Sequence, residues 1–117
     1  GFSFVVTSEI TGSFTGVEYL NGFYWVADIQ AGGATAETKI HQYDVLGGYT
    51  GFTFTTSSSL GAQRLFRKDD NLIVTSAFGN GIAEYTQAGV ATGFSQTTGA
   101  FANAFITNCF YENMVFW

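Results

Sequence analysis

The sequence predicts an all-β chain built from repeated four-stranded units, and three observations carry that expectation. No stretch sustains apolar spacing of three and four residues over a window of about 11 positions, so no helix is expected anywhere. The apolar runs are filled by β-branched and aromatic residues, the types that fit a pleated, half-buried surface. The chain also repeats itself, and a repeat has to be read before any single element.

Three phrases mark the repeat: Gly1-Phe2-Ser3-Phe4, Gly51-Phe52-Thr53-Phe54 and Gly93-Phe94-Ser95-Gln96, with starting glycines 50 and then 42 residues apart. Asn21, Asn71 and Asn113 each lie 20 residues after one of these glycines and precede an apolar run. Ile40-His41-Gln42-Tyr43 is matched by Ile82-Ala83-Glu84-Tyr85, and each tyrosine stands eight residues before the next glycine. The offsets define units 1–50, 51–92 and 93–117, the last incomplete. Asn21 to Tyr43 spans 22 residues and Asn71 to Tyr85 spans 14, which assigns eight extra residues to the first unit. They are placed at Ala31–Thr38, a small, polar, glycine-rich stretch suited to a surface loop.

Within the first unit, Val17–Leu20 reads as a strand that turns at Asn21-Gly22 into Phe23–Val26. Both turn residues tolerate positive φ, as two-residue hairpins require. Lys39–Val45 is the next strand, and Gly47-Gly48 turns it into Tyr49–Phe54. In the second unit Asp69-Asp70-Asn71 takes the place of the Asn-Gly turn, and Gly79-Asn80-Gly81 and Gly89 punctuate the strands. Tyr111-Glu112-Asn113 does the same in the third. About four strands per unit of roughly 42 residues is the blade pattern of a β-propeller. The expected fold is about two and a half such blades, with a β-sandwich as the alternative.

Composition narrows function by exclusion. The 117 residues suit one domain, and the 11% charged fraction is far below the roughly 25% of soluble domains, which argues against disorder. Nine acids against four bases give a net charge of -5, unsuited to neutralising phosphates, so no nucleic-acid partner is expected. No run of about 18 apolar residues is present, so no membrane insertion is expected. Cys109 is the one cysteine, which leaves no internal disulfide and predicts a buried, inert thiol. The chain opens on Gly1 without Met, which suggests a processed product or a piece of something longer.

The phrases Asn21-Gly22-Phe23-Tyr24-Trp25-Val26-Ala27-Asp28 and Lys39-Ile40-His41-Gln42-Tyr43-Asp44, with Tyr49-Thr50-Gly51-Phe52-Thr53-Phe54, resemble propeller repeats related to the NHL and YWTD types. The variety they most resemble occurs in secreted bacterial proteins and phage virion or tail-appendage proteins. The resemblance fades along the chain: Leu72-Ile73-Val74-Thr75-Ser76 stands where Trp25 and Asp28 lead one to expect an indole and a carboxylate. It implies an innermost strand before the Asn-Gly turn and an extracellular or virion location. It carries no function by itself, because propellers host binders, scaffolds and enzymes alike.

Candidate chemistry is sparse. His41 lies mid-strand with no second His or Cys at ligand spacing, and reads as an ordinary strand residue. Asp28 and Asp44 follow strands, where a carboxylate accepts local backbone N–H bonds. Asp69-Asp70-Asn71 matches no calcium loop and reads as a turn. No metal, cofactor or catalytic residue is expected. Arg64, Arg67 and Lys68 concentrate three of the four basic charges, fit either for an anion or acidic glycan or for pairing with Glu18, Asp69 or Glu112. Tyr24, Trp25, Tyr49, Tyr111 and Trp117 are fit for stacking on sugar rings or for packing between units. Trp25, Tyr49, Arg64 and Arg67 are therefore the candidate ligand contacts.

The first functional expectation is a non-catalytic structural and adhesive propeller module of an extracellular or virion appendage protein, contacting partners through Ala31–Thr38. The alternatives are a carbohydrate-binding propeller lectin, and a propeller lyase or hydrolase, which needs an acid–base pair that no setting singles out. Open strand edges at both ends predict self-association through the termini, or completion by the rest of a longer chain.

Overall fold

The computed structural model describes residues 1–6, 9–30, 37–56, 62–76, 81–97, 111–112 and 115–116. The strands are β1 (Ser13–Leu20), β2 (Phe23–Ile29), β3 (Thr38–Tyr43), β4 (Tyr49–Thr55), β5 (Ala62–Lys68), β6 (Asn71–Ser76), β7 (Gly81–Tyr85), β8 (Ala91–Thr97), β9 (Tyr111–Glu112) and β10 (Val115–Phe116). All pairing is antiparallel between chain neighbours. One sheet has the order β1-β2-β3-β4, a second β5-β6-β7-β8, and β9 and β10 form a short hairpin. The chain is all-β.

Turn chemistry sets the register. Leu20 opposes Phe23 across Asn21-Gly22, whose φ values of 52° and 83° match the mirror-image turn that suits twisted strands. Lys68 opposes Asn71 across Asp69-Asp70, and Asp69 takes the left-handed φ of 53°. The counterpart of Asn21 is therefore Asp69, two residues before the asparagine that the sequence spacing matched. Asn71 is the first residue of β6 instead. The third turn of each sheet is also shared. Asp44 N donates to Gly48 O and Thr86 N to Val90 O, each at 2.8 Å. The Asp44 carboxylate accepts from Leu46 N and Gly48 N at 2.9 Å, where Thr86 Oγ1 accepts from Val90 N at 3.2 Å.

Val26 in β2 opposes His41 in β3, as Val74 in β6 opposes Ala83 in β7. The first pair member is offset by 48 positions and the second by 42, so the connection between β2 and β3 is six residues longer than that between β6 and β7. The eight-residue insertion predicted at Ala31–Thr38 is thus two residues too long, and Thr38 already belongs to β3. Positions 31–36 of that proposed contact loop, and Cys109, lie outside the described residues.

The two sheets share one core. Leu20, Trp25, Ala27, Ile40 and Phe54 of the first sheet pack with Leu65, Leu72, Val74, Ala83 and Tyr85 of the second. Alternation along the strands puts each set on one face. The indole of Trp25 is fully buried, edge-on to Phe52 and Phe54 with centroids 6.1 and 6.4 Å away, and its Nε1–H donates to the Leu20 carbonyl at 3.3 Å. Buried aliphatic and aromatic side chains of this kind stabilise by about 1.5–3 kcal/mol each. At the surface Arg64 Nη1 donates to Thr15 O at 2.8 Å, and Asn21 Nδ2 to Asp70 Oδ1 at 3.3 Å, tying the sheets together.

This architecture corrects the propeller assignment and the resemblance to NHL and YWTD repeats. The chain forms two separate open four-stranded sheets packed together, consistent with a β-sandwich, and not sheets closed into a ring. Closure requires radial repetition around a channel, whereas a repeated strand pattern specifies only the local meander. The propeller-based adhesive, lectin and lyase or hydrolase readings fall with the ring, as do the virion-appendage and adhesion terms attached to it.

Candidate functional site

Three groups of side chains merit attention: a buried polar clasp, a basic edge and an open aromatic face. The clasp is built from Asp28 on β2, His41 on β3 and Thr53 on β4, which the pairing brings to the same face of the first sheet. Asp28 is fully buried and accepts from Gly12 N at 2.8 Å, Thr11 N at 3.1 Å and His41 Nε2 at 3.1 Å. A carboxylate only accepts, so Nε2 carries a proton here. The other ring nitrogen, Nδ1, bonds Thr53 Oγ1 at 2.5 Å. Two of the three partners of Asp28 are backbone N–H groups of the segment entering β1. The clasp therefore anchors that segment across β2 and β3. Asp28, expected to accept local backbone N–H bonds, and His41, expected to be an ordinary strand residue, bond partners 12 to 17 residues away instead. Gly12 fits because a Cβ there would collide with the Ile29 carbonyl.

The basic residues are spread along the edge where β5 meets β1. A groove of about 450 Å³ runs between these strands, lined by Phe14, Thr15, Glu18, Arg64 and Phe66 among others. Arg64 is held by the Thr15 carbonyl. Burial raises the pKa of Glu18, and the charge of Arg67 and a backbone bond from Tyr19 offset only part of that rise. Lys68 turns away, with Nζ 3.0 Å from Glu84 Oε2 and 5.3 Å from the Phe94 ring centre. Burial pushes Glu84 up, but bonds from Lys68, Thr92 and Asn71 and the Lys68 charge outweigh it and bring the carboxyl below its ordinary value. The three cations thus do not converge. Of the other candidate contacts, Trp25 is enclosed in the core and Tyr49 packs against His41 and Tyr43. Asp69 and Asp70 form a turn, with Asp70 O accepting from Gln87 Nε2 at 2.8 Å. No group of three metal-ligating side chains occurs among the described residues.

The open face is the side of the first sheet turned away from the shared core. Phe2 stacks on Tyr24 at 5.8 Å with planes 13° apart, and Phe4 sits 5.2 Å from Tyr24 and 5.5 Å from Tyr43. Tyr19 meets Tyr24 at 5.1 Å. A groove of about 410 Å³ passes between Phe2, Phe4, Val6, Phe14, Val17 and Tyr24. Large apolar side chains remain exposed along it, Phe2 56%, Phe14 52% and Val17 49%, and Tyr19 beside Tyr24 is 47% exposed. Sequence reasoning read Phe2 and Phe4 as part of a recurring phrase and did not point to this surface. The available signal was β1 itself, whose outward positions Val17 and Tyr19 are as apolar as a core face.

Comparisons with protein-family models, with curated proteins and with solved structures found no match to this chain.

Proposed function

We propose that this chain is a non-catalytic assembly module that binds a partner through the open aromatic face of its first sheet. The observation that supports this reading is the half-exposed row of Phe2, Phe14 and Val17 on one groove, with the half-exposed Tyr19 packed beside its Tyr24. Scattered surface apolar residues are ordinary, but a contiguous apolar patch of several hundred Å² marks an interaction surface. Aromatic side chains also dominate the buried centres of interfaces. The clasp of Asp28, His41 and Thr53 supports the same reading, because it fixes the chain segment that leads into β1 and so presents Phe14, Val17 and Tyr19 on a rigid surface.

The test is binding of an apolar fluorescent dye to the folded chain, compared with Val17→Lys. The wild type should enhance dye fluorescence at temperatures well below its melt, and Val17→Lys should lose most of that signal while melting within a few degrees of wild type. A folded wild type that leaves the dye dark refutes the reading.

A further inference from the structure

We infer that the partner on this face is a second copy of the chain, seated by its own open face to give a two-fold homodimer. The inference rests on the proposed function and identifies the occupant of that surface.

The first support is an equivalence within the molecule. By register, Tyr24, Val26, His41 and Tyr43 of the first sheet correspond to Leu72, Val74, Ala83 and Tyr85 of the second. All four of the latter lie in the core beneath the first sheet. The correspondence extends to detail. Phe54 packs on Tyr85 at 5.6 Å and against Gly89, where a Cβ would come within 2.6 Å of the Phe54 Cβ. Phe4 packs on Tyr43 at 5.5 Å and against Gly47 in the same way. Val26, His41 and Tyr43 are already buried. Among the exposed positions of the open face, Val17 corresponds by register to Leu65, which the chain buries in its core, while Tyr19 corresponds to the exposed Arg67. Among the described residues, the segment carrying Phe2 and Phe4 covers this face, and Val17 and Tyr19 stay exposed.

The second support is area. The exposed parts of Phe2, Phe14, Val17 and Tyr19 leave on the order of 400 Å² of largely apolar surface, the size of a whole interaction patch and about half of the ~800 Å² each side of a stable interface buries. The third is charge. The described residues that line the groove, Phe2, Phe4, Val6, Phe14, Val17 and Tyr24 among them, include neither acid nor base. Two copies each carrying a net charge of -5 repel one another, and an uncharged contact keeps like charges out of the interface. A two-fold contact brings the same patch together from both copies, so an uncharged, aromatic surface is complementary to itself.

Sedimentation velocity and native mass spectrometry over a concentration series test this. Wild type should pass from monomer to dimer at micromolar concentrations and associate a few-fold more tightly when salt screens the shared negative charge. Val17→Lys and, separately, Tyr19→Lys should weaken dimerisation by a hundredfold or more, because each places an unpaired cation in the contact twice. Leu46→Lys, on the exposed turn after β3, should dimerise as wild type does. A wild type that stays monomeric to about half a millimolar while still binding the apolar dye overturns the second copy as occupant and leaves the binding face standing. A dimer indifferent to both Val17→Lys and Tyr19→Lys, or assembly beyond the dimer, overturns the inference as well.

Discussion

Asp28→Ala is the substitution with the most to say about how this chain holds itself together. It removes the acceptor shared by Gly12 N, Thr11 N and His41 Nε2. His41 is buried, so its ring donor has no water to turn to, and a buried donor left unpaired costs about 1–3 kcal/mol. Thr11 and Gly12 are exposed, and their N–H groups re-pair with water, so each contributes only about 0.5–1.5 kcal/mol. The total is about 3 kcal/mol, a large part of the 5–15 kcal/mol that holds an ordinary domain folded. For a chain of this size that corresponds to a fall in Tm of roughly 10–15 °C. Asp44→Ala is the matched control. Asp44 also accepts two backbone N–H bonds, from Leu46 and Gly48, but on an exposed turn. With no buried donor orphaned, its loss should cost about 1–2 kcal/mol. Asp28→Asn should fall between the two. Its amide oxygen can still serve Gly12, and the His41 proton can move to Nδ1 so that Nε2 accepts from the new amide, but the Thr11 N–H then faces a donor. Thermal melts by circular dichroism read the three variants, and hydrogen exchange at Thr11 and Gly12 localises the effect. If Asp28→Ala melts no lower than Asp44→Ala, the clasp does not anchor the segment entering β1.

Lys68→Met leaves the buried Glu84 carboxylate without its cation and should cost about 2–4 kcal/mol at neutral pH, with Glu84→Gln added to it restoring most of the loss in urea melts. Because the folded-state pKa of Glu84 is lowered, its contribution is present above the ordinary value of 4.5 and is lost as pH falls through the folded pKa. Wild type and Lys68→Met should therefore converge in stability in acid, and a constant gap down to pH 2 refutes the pairing. Glu18 has the opposite sign: its raised pKa means that the charged form is penalised above that pKa, and the penalty disappears below the ordinary value. Glu18→Gln should stabilise the chain slightly at pH 7 and not at pH 3, as measured by Tm across a pH series. Gly89→Ala combines a φ of 80° with a Cβ 2.6 Å from that of Phe54, whereas Gly93→Ala meets open space at a φ of 89°. The first should cost about 3 kcal/mol and the second about 1–2 kcal/mol, and equal melts for the two would show that the Phe54 contact is not tight.

Local physics was legible in the sequence. The absence of helical apolar spacing and the β-branched, aromatic runs determined that the chain is all-β, and Asn21-Gly22 and Gly47-Gly48 determined where the first sheet turns. These properties depend on neighbours a few residues apart, which a sequence displays directly. The equivalence of Asn21 with Asp69 was not legible, because either Asp69-Asp70 or Asp70-Asn71 offers a two-residue turn and only the strand register selects one. Nor was the partnership of Asp28 with His41 and Gly12, since which polar side chains meet depends on the facing of three strands and on a segment folded back across them. The number and closure of the sheets escaped for the same reason. A repeat fixes what each sheet is made of, but whether sheets close into a ring or stack around one core depends on their relative packing, which no local spacing encodes. Trp25 was legible as a large aromatic on a strand, and burial alone decided that its ring belongs to the core. The open face around Val17 and Tyr19 followed from that decision: once one side of the first sheet is committed to the second sheet, Val17 and Tyr19 on its other side stay exposed beside the buried Val26 and Tyr43.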